Sequence, residues 1–252
     1  MKVKKTIVNE RRNNILKIID DEGIVYINQL AKKFNVSNLT IRRDLDELDN
    51  IGKISRFHGG ARPIEDGKNS VNFKKNMIKE KIAEKSAEYI VEGDIIFINS
   101  SSTALLVLKY IKDMHVTVIT NNANALNIDI DPKINLMLTG GKISYPKHTL
   151  IGTFTMGNLK TIKADKVILG VSGIDIDEGI TTSVIDEVEI NRYMLHNSTK
   201  ERIIVAESYK FGEIDSFRSS SVNSVTKIVT DHGIDSKTIS RFEKKGIQVV
   251  IS

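Results

Sequence analysis

The sequence contains no cysteine, which excludes disulfide bonds and any metal site built on thiolates. A metal site built on histidine needs two or more of them at short helical or loop spacing. The five histidines are instead scattered along the chain, at His58, His115, His148, His196 and His232. We therefore predict no metal ion and no nucleotide or other cofactor.

Long apolar runs are also missing. No segment approaches the roughly 20 apolar residues that span a membrane, and no apolar run follows the basic residues 1–12 in the way that a signal peptide requires. We therefore expect a soluble, cytoplasmic protein with no membrane partner. Its 252 residues, of which 40% are hydrophobic, suffice for two domains with cores of their own.

The excess positive charge is confined to one end of the chain. The formal net charge is +5, and residues 1–62 hold 13 basic residues against 8 acidic ones, whereas residues 63–252 hold 24 of each. Clustered basic charge on a small domain suits a polyanionic partner, because phosphate contacts release condensed counterions. Such an excess also keeps a protein soluble, so charge alone leaves both interpretations open.

Three helical patterns occupy the first fifty residues. Apolar residues recur at helical spacing in residues 10–19 and in residues 29–34, where Asn28 suits the N-cap and Asn35 a left-handed C-cap. Ser37 suits the N-cap of a third helix that ends near residue 50. The apolar stripe of this third helix consists of Ile41, Leu45 and Leu48. Two helices flanking a tight turn predict a helix-turn-helix.

The third helix has an apolar face and a basic face. With the apolar stripe in the core, Arg43 lies on the opposite side at 100° per residue. A helix that reads the major groove needs exposed basic and hydrogen-bonding groups near its N-terminus. The candidate DNA contacts are therefore Ser37, Asn38, Thr40, Arg42 and Arg43. On an arbitrary helix, the two arginines would only pair with Asp46 and Glu47 on a solvated face.

Residues 53–61 alternate apolar and polar residues up to a Gly-Gly turn, as in the hairpin called a wing. Arg56 and His58 are its candidate DNA contacts. Residues 63–78 are polar with no clear period and suit a linker. The predicted domains are therefore a winged helix-turn-helix at residues 1–62 and a second domain at residues 79–252.

The sequence of the second domain predicts an α/β fold with a mostly parallel sheet. Strand-like apolar runs alternate with helical patterns. The strands are predicted at residues 95–98, 116–120, 136–139, 166–171, 202–206, 227–230 and 248–251, and the helices at residues 79–91, 102–111, 185–196 and 236–245. Parallel sheets of this kind bind ligands at the carboxyl ends of their strands.

Polar and small residues recur at those strand ends, although any one of them could be an ordinary loop. A hydroxyl-rich turn enters a helix after the first strand and could hold a phosphate. The candidate ligand residues are Asn99, Ser100, Ser101, Ser102, Thr103, Thr120, Asn121, Gly140, Gly141, Asp175, Glu178 and Lys210. Lys210 could supply a positive charge to a phosphate, or could be a solvated loop lysine.

Two motifs resemble the DeoR family of bacterial regulators. One is Val-Ser-Asn-Leu-Thr-Ile-Arg-Arg-Asp-Leu at residues 36–45, and the other is Arg-Phe-His-Gly-Gly-Ala at residues 56–61. The second domain is similar to the family's effector domain, whose fold resembles ribose-5-phosphate isomerase and typically binds phosphorylated sugars. The resemblance places the ligand loop on residues 99–103, with Thr120, Asn121, the double glycine and Lys210 as further contacts. Family members often have Asp where this chain has Asn99.

The resemblance implies a DNA-binding repressor of a carbohydrate-metabolism operon, dimeric or tetrameric, whose affinity for double-stranded operator DNA changes when a sugar phosphate binds. Two alternatives stay open. The chain could be an active sugar-phosphate isomerase with an appended DNA-binding module, using Asp175, Glu178 and Lys210. It could also be an architectural DNA binder whose second domain binds no ligand. Asn99 in place of a carboxylate favours sensing over catalysis.

Overall fold

The computed structural model describes residues 5–57, 59–64 and 69–252, and the chain divides into two compact units, Met1–Met77 and Ile78–Ser252. Among these described residues, no helix is both long enough and apolar enough to cross a bilayer. His58, one of the predicted wing contacts, lies outside the described residues.

The N-terminal unit contains the three predicted helices of the helix-turn-helix. They are α1 (Lys5–Glu22), α2 (Ile27–Phe34) and α3 (Asn38–Asn50), with the two-residue strand β1 (Val25–Tyr26) before α2. The predicted stripe of α3 is fully or almost fully buried and packs on apolar side chains of α1 and α2. The helix-turn-helix prediction is therefore confirmed.

The turn between α2 and α3 follows the predicted chemistry. Asn35 adopts a left-handed conformation with φ 50°, and the Ser37 hydroxyl accepts a hydrogen bond from the Thr40 N–H at 3.1 Å. The prediction that Asn28 caps α2 is wrong. The helix begins at Ile27, two residues earlier than predicted. The Ile27 N–H donates to the carbonyl of Gly59 at 2.9 Å, so a distant backbone group replaces a side-chain cap.

The predicted wing is a small antiparallel sheet. Its hairpin consists of β2 (Ser55–Phe57) and β3 (Gly60–Arg62), and the strand order is β1-β3-β2. Gly60 lies where β3 pairs with Tyr26, and a Cβ there would collide with the Val25 carbonyl and the Phe57 ring. Only glycine lets the two strands approach this closely.

The C-terminal unit is built on a seven-stranded sheet, and each of its strands was predicted. The strands are β4 (Ile95–Ile98), β5 (Val116–Thr120), β6 (Ile134–Leu138), β9 (Ala164–Gly170), β12 (Ser198–Val205), β14 (Lys227–Thr230) and β15 (Gln248–Ile251). Their order is β15-β14-β12-β9-β4-β5-β6, and every neighbouring pair is parallel. The chain moves outward from β4 in one direction and from β9 in the other, so the order reverses between these two strands.

Helices cover both faces of this sheet. They are α4 (Asn69–Ala87), α5 (Ser102–Leu106), α6 (Thr153–Leu159), α7 (Ile185–His196) and α8 (Ser236–Glu243). One apolar core contains residues of α6, α7 and α8, and the other contains residues of α4 and α5. Alternate residues of β4 enter the two cores, Phe97 the first and Ile96 and Ile98 the second. The predicted α/β fold is confirmed as three layers.

Several elements differ from the sequence prediction. Helix α4 begins at Asn69, inside the predicted linker, and α6 was not predicted. Five short antiparallel strands were also missed: β7 (Lys142–Ser144), β8 (Thr149–Ile151), β10 (Gly173–Asp175), β11 (Gly179–Thr182) and β13 (Phe217–Ser220). Strands β7 and β8 form a hairpin, and β10, β11 and β13 form a separate sheet. Runs of three or four residues are too short for a periodic pattern.

Candidate functional site

The exposed face of α3 holds most of the predicted DNA contacts. Asn38, Arg42 and Arg43 are exposed, while the apolar stripe is buried on the opposite side. The Asn38 side chain donates to Asn28 Oδ1 of α2 at 2.9 Å. The hydroxyls of Ser37 and Thr40 lie 2.9 Å apart. The polar groups at the start of α3 are thus tied to one another and to α2, which fixes their geometry for a groove.

Arg56, in the wing, adds a further positive charge to this face. Its guanidinium pairs with Asp46 of α3, one of the two carboxylates that the solvated-face interpretation assigned to Arg42 and Arg43. Partial burial lowers the pKa of Arg56, and the positive charge of Arg42 lowers it further. Two repelling guanidinium groups favour an anion between them, and a DNA phosphate has that charge.

A buried carboxylate that the sequence reasoning did not single out holds α1 against α3. Asp44 is 1% exposed and accepts hydrogen bonds from Arg11 Nε at 2.5 Å and from Arg12 Nε at 3.1 Å. Arg11 Nη2 donates a third at 3.2 Å. Asp44 follows Arg43 directly, so these contacts fix the rotation of the helix that presents the arginines. The sequence did contain a signal for this contact, namely an acidic residue within the apolar stripe of α3.

In the C-terminal unit, the loop at residues 99–103 leaves β4 at the reversal point of the sheet, where α/β folds bind ligands. Asn99 is buried, and its Nδ2 donates to the Gly170 carbonyl at 2.9 Å while its Oδ1 accepts from the Gly170 N–H at 3.0 Å. Its Nδ2 also lies 3.0 Å from Asn191 Oδ1. An amide can donate and accept at once, whereas an ionised carboxylate can only accept, and through these bonds Asn99 joins the ends of β4 and β9.

Glu187 of α7 receives the next side chain of the loop. The Ser100 hydroxyl donates to Glu187 Oε1 at 2.9 Å, and the Thr182 hydroxyl donates to Oε2 at 2.8 Å. Lys147, from the β7–β8 hairpin, lies 3.3 Å from Oε1. A buried carboxylate with three donors is well compensated. It fixes Ser100 and brings one lysine to the loop.

Glu207, after β12, holds the far end of the loop. It is buried and accepts from the Thr103 hydroxyl at 3.1 Å, while Lys210 Nζ lies 2.5 Å from its other oxygen. Lys79 Nζ lies 3.9 Å from Glu207 and donates to Ser102 Oγ at 3.3 Å. Burial raises the pKa of Glu207, but Lys210 and the other charged and hydrogen-bonding neighbours outweigh it, and the pKa lies below its ordinary value.

The next strand end adds buried polar atoms beside the loop. Asn122 Nδ2 donates to the Ser100 carbonyl at 2.9 Å, and Thr120 Oγ1 accepts from the Asn122 N–H. Asn121 donates to the Leu150 carbonyl through Nδ2. Its Oδ1 and the nearby Thr149 hydroxyl are buried without a hydrogen-bond partner among the described residues. Such atoms are costly unless a ligand or water pairs with them.

Gly140 and Gly141 lie after β6, and the structure gives them a packing role. Both have positive φ, 69° and 110°. The Gly140 carbonyl accepts from Thr155 Oγ1 of α6 at 2.6 Å. A Cβ on Gly141 would collide with that same hydroxyl and lie 2.7 Å from the Ile151 carbonyl. The double glycine therefore lets α6 pack on this strand end.

Asp175 and Glu178 are not brought to the loop in the described structure. They lie in the turn between β10 and β11, where Asp175 Oδ1 accepts from the N–H groups of Asp177 and Glu178 at 2.8 and 3.0 Å. The hydrogen bond from Glu178 contributes most to lowering the pKa of Asp175. Glu178 itself is exposed. Their assignment to the ligand site stays a prediction.

The residues that complete the loop site come from other elements and were missed. Glu187 and Asn191 lie four residues apart on α7, so they share one face of the helix. Both are buried, beside the apolar Ile190 and Met194. The sequence signal for these two residues was their position as polar residues within the apolar stripe of α7. Lys79 and Lys147 gave none, because only tertiary folding brings them to the loop.

Two family models match the chain. Residues 11–66 match the DeoR-like helix-turn-helix domain, and residues 74–232 match the DeoR C terminal sensor domain. The HTH-type transcriptional regulator YulB of Bacillus subtilis (strain 168), which is itself uncharacterized, is 30% identical over 249 residues, covering 96% of each chain. The glycerol-3-phosphate regulon repressor of Escherichia coli (strain K12) is 31% identical over 228 residues, covering 88% of this chain and 90% of the repressor.

Further similarities extend to another regulator and to a solved structure. The HTH-type transcriptional regulator GolR of Listeria innocua is 29% identical over 250 residues, covering 96% of this chain and 98% of GolR. Ribose 5-phosphate isomerase A from Methanocaldococcus jannaschii aligns with a TM-score of 0.38 and 14% sequence identity, covering 53% of each chain.

Proposed function

We propose, from the premise that this chain belongs to the DeoR family of transcriptional regulators, that it represses a carbohydrate-metabolism operon and is controlled by a phosphorylated sugar. Residues 1–62 would bind operator DNA, residues 63–78 would connect the domains, and residues 79–252 would bind the effector. We further propose a homodimer or homotetramer, whose two-fold symmetry would match paired operator half-sites.

The observation that carries the effector assignment is the pair of unpartnered buried atoms beside the loop. Asn121 Oδ1 can only accept a hydrogen bond and the Thr149 hydroxyl can also donate one, so together they suit the hydroxyl groups of a sugar. The adjacent entry to α5 offers backbone N–H groups, the exposed Ser102 and the ammonium group of Lys79, which suit a phosphate. One relative is named for glycerol 3-phosphate, a small polyol phosphate.

Control of DNA binding requires only that the effector prefer one of two protein states. A coupling free energy of about 1–3 kcal/mol changes DNA affinity roughly 5- to 150-fold. The proposed role is regulatory and not catalytic. Asp175 accepts a hydrogen bond from a backbone N–H of its own turn, and Asn99 is hydrogen-bonded to Gly170. The two carboxylates at the loop, Glu187 and Glu207, are held by hydroxyl donors and lysines, which disfavours either of them as the base of an isomerase.

The effector assignment is tested by thermal shift of the purified chain against hexose phosphates, pentose phosphates, glycerol 3-phosphate and the same compounds without phosphate. A ligand that binds only the folded state raises the melting temperature. Each compound that does so is titrated into a binding assay with a DNA duplex selected by the protein from a random pool. We expect one phosphorylated compound to change both the melting temperature and the DNA affinity. If no compound raised the melting temperature, the architectural alternative would be favoured.

Three variants locate the effector. Ser102→Glu adds a negative charge where the phosphate would lie and should abolish binding, whereas Ser102→Gln, of the same size, should retain most of it. Thr149→Val removes an unpartnered hydroxyl at nearly constant shape, so it should weaken effector binding without lowering the melting temperature. Equal effector affinity in the glutamate and glutamine variants would show that the phosphate binds elsewhere.

The DNA assignment is tested with Arg43→Ala. Arg43 lies opposite the buried stripe, so the fold should persist while affinity for the selected duplex falls about 5- to 150-fold. Lys17→Ala, which removes an exposed charge from the middle of α1, is the matched control. Equal DNA affinity of Arg43→Ala and the parent protein would contradict the choice of recognition face.

A further inference from the structure

A second group of cationic and hydroxyl side chains lies at the C-terminal end of α7, outside the loop site. Arg192 and His196 of α7 and Arg218 of β13 line a concave pocket of about 370 Å³, together with Ser219, Ser220, Ser221 and Ser224. This volume lies near the lower bound of roughly 300 Å³ for small-molecule sites. We infer that this pocket binds a phosphate group, either as inorganic phosphate or as part of a phosphomonoester.

The two arginines give the pocket its positive charge. Neither Arg192 nor Arg218 forms an ion pair with a carboxylate in the described part of the chain. The acidic residue one turn before Arg192 is Glu189, and it lies 3.7 Å from Lys160. The guanidinium groups of Arg192 and Arg218 are therefore available to an external anion. A planar guanidinium group suits the oxygens of a phosphate.

Arg192 is also held in place. Its Nε donates to the Ser219 carbonyl at 3.0 Å, and one terminal nitrogen lies 3.5 Å from the Arg218 carbonyl. Anchoring through Nε restrains the side chain while other N–H groups of the guanidinium stay available. A pre-oriented guanidinium loses less conformational entropy when an anion binds.

The residues that line the pocket include Ser219, whose hydroxyl has no partner in the described structure. Between β11 and β13 the register shifts, so that Ile180 pairs with Ser220 and Thr181 with Arg218. Ser219 is the extra residue of this bulge, and bulges commonly redirect a side chain. The residue is 0% exposed, and its Oγ has no hydrogen-bond partner in the described structure. An acceptor oxygen from a ligand would satisfy it.

Further donors lie beside this hydroxyl. Ser220 Oγ is 3.0 Å from Ser224 Oγ and 3.5 Å from His196 Nε2. Hydroxyl groups can donate to phosphate oxygens as well as to one another. The pocket thus combines two guanidinium groups with serine hydroxyls, which is the chemistry of phosphate recognition.

The inference is tested by calorimetric titration of the full chain with inorganic phosphate and with glycerol 3-phosphate, at constant ionic strength set with chloride. Both titrations use the Ser102→Glu background, so that phosphate bound at the loop does not contribute. Arg218→Ala should weaken binding about tenfold, as the loss of one charge-assisted contact predicts. Arg241→Ala, which removes an exposed arginine from α8, is the control and should bind as the parent does.

Ser219→Ala provides a second, independent readout. It should weaken phosphate binding and leave the melting temperature unchanged or slightly raised, because the hydroxyl has no partner to lose. Equal affinity for the two compounds would assign the pocket to phosphate itself, and tighter binding of glycerol 3-phosphate would assign it to a phosphomonoester.

Three results would overturn the inference. The first is unchanged phosphate affinity in Arg218→Ala. The second is an equal loss in Arg241→Ala, which would indicate general charge screening. The third is no phosphate binding to the Ser102→Glu background. If the third result came with a changed sedimentation coefficient in Arg218→Ala, the pocket would contact an acidic protein surface instead.

Discussion

Replacing Asp44 by Asn should selectively loosen the N-terminal unit. The carboxylate is 1% exposed and receives three hydrogen bonds from Arg11 and Arg12. Breaking a buried ion pair costs about 3–5 kcal/mol. The arginine side chains are 12% and 26% exposed, so water can partly replace their partner. We therefore expect a loss of about 3 kcal/mol, at the lower end of that range.

Hydrogen exchange followed by mass spectrometry measures this loss within the full chain. A change of about 3 kcal/mol corresponds to a roughly 150-fold faster exchange of the protected amides in α1 and α3. Peptides from β9 serve as an internal reference, because they belong to the other unit. Exchange of these peptides should not change.

Asp46→Asn is the matched control for Asp44→Asn. Asp46 lies two residues along α3 on its exposed side, where it pairs with Arg56 of the wing, and its side chain is 51% exposed. An exposed ion pair contributes about 0–1 kcal/mol, so exchange should rise only a few-fold. If the two variants changed the exchange of α3 to the same extent, the assignment of Asp44 as the contact that holds α1 to α3 would be refuted.

Three further changes test the packing of α6, the ion pair of Glu207 and the cap of α3. Gly141→Ala should destabilise the C-terminal unit by about 2–3 kcal/mol, because it combines a positive φ with a collision, whereas Gly157→Ala, in open space within α6, should stabilise it by about 0.5–1 kcal/mol. Glu207→Gln should reduce stability at neutral pH and flatten its acid dependence. Because the folded pKa of Glu207 lies below the ordinary 4.5, its contribution is present above pH 4.5 and is lost as the pH falls through the folded pKa. Ser37→Ala should increase opening of the first turn of α3 by about 1 kcal/mol, and Ser37→Thr should preserve the cap.

Thermal unfolding monitored by circular dichroism measures the glycine and glutamate variants, and hydrogen exchange measures the serine variants. Equal melting temperatures for Gly141→Ala and Gly157→Ala would contradict the close approach of α6. Parallel stability profiles for Glu207→Gln and the parent protein between neutral and acid pH would show that the Lys210 pair has no net effect. Equal exchange in Ser37→Ala and Ser37→Thr would remove the capping argument.

The large elements were predictable because their signals are local. The strands of the seven-stranded sheet are short apolar runs, and helices lie on both faces of the sheet. The stripe of α3 repeats over several turns. The cap of α2 was not predictable in this way. Its first N–H is satisfied by the carbonyl of Gly59, 32 residues along the chain from Ile27, and no local pattern reports such a contact.

The loop site shows the same limit at the level of side chains. The strand-end rule places residues 99–103 at a carboxyl end of the sheet, and the structure adds that this end lies at the reversal point. The rule cannot say which side chains face inward. The structure shows that the side chains of Asn99, Ser100 and Thr103 form hydrogen bonds with other groups of the protein. The partners of the two hydroxyls are buried carboxylates that lie 87 and 104 residues away.

The hydrogen bonds and ion pairs at the loop determine how a phosphate would be recognised. Lys147 and Lys210 already pair with Glu187 and Glu207, so a phosphate that drew either lysine away would leave a buried carboxylate less compensated, at a cost of several kcal/mol. Lys79 already donates to Ser102 Oγ at 3.3 Å and lies 3.9 Å from Glu207, so its ammonium group is already beside a phosphate bound at Ser102. The favourable position for a phosphate is therefore at the start of α5, where backbone N–H groups and Lys79 can bind it without breaking either pair.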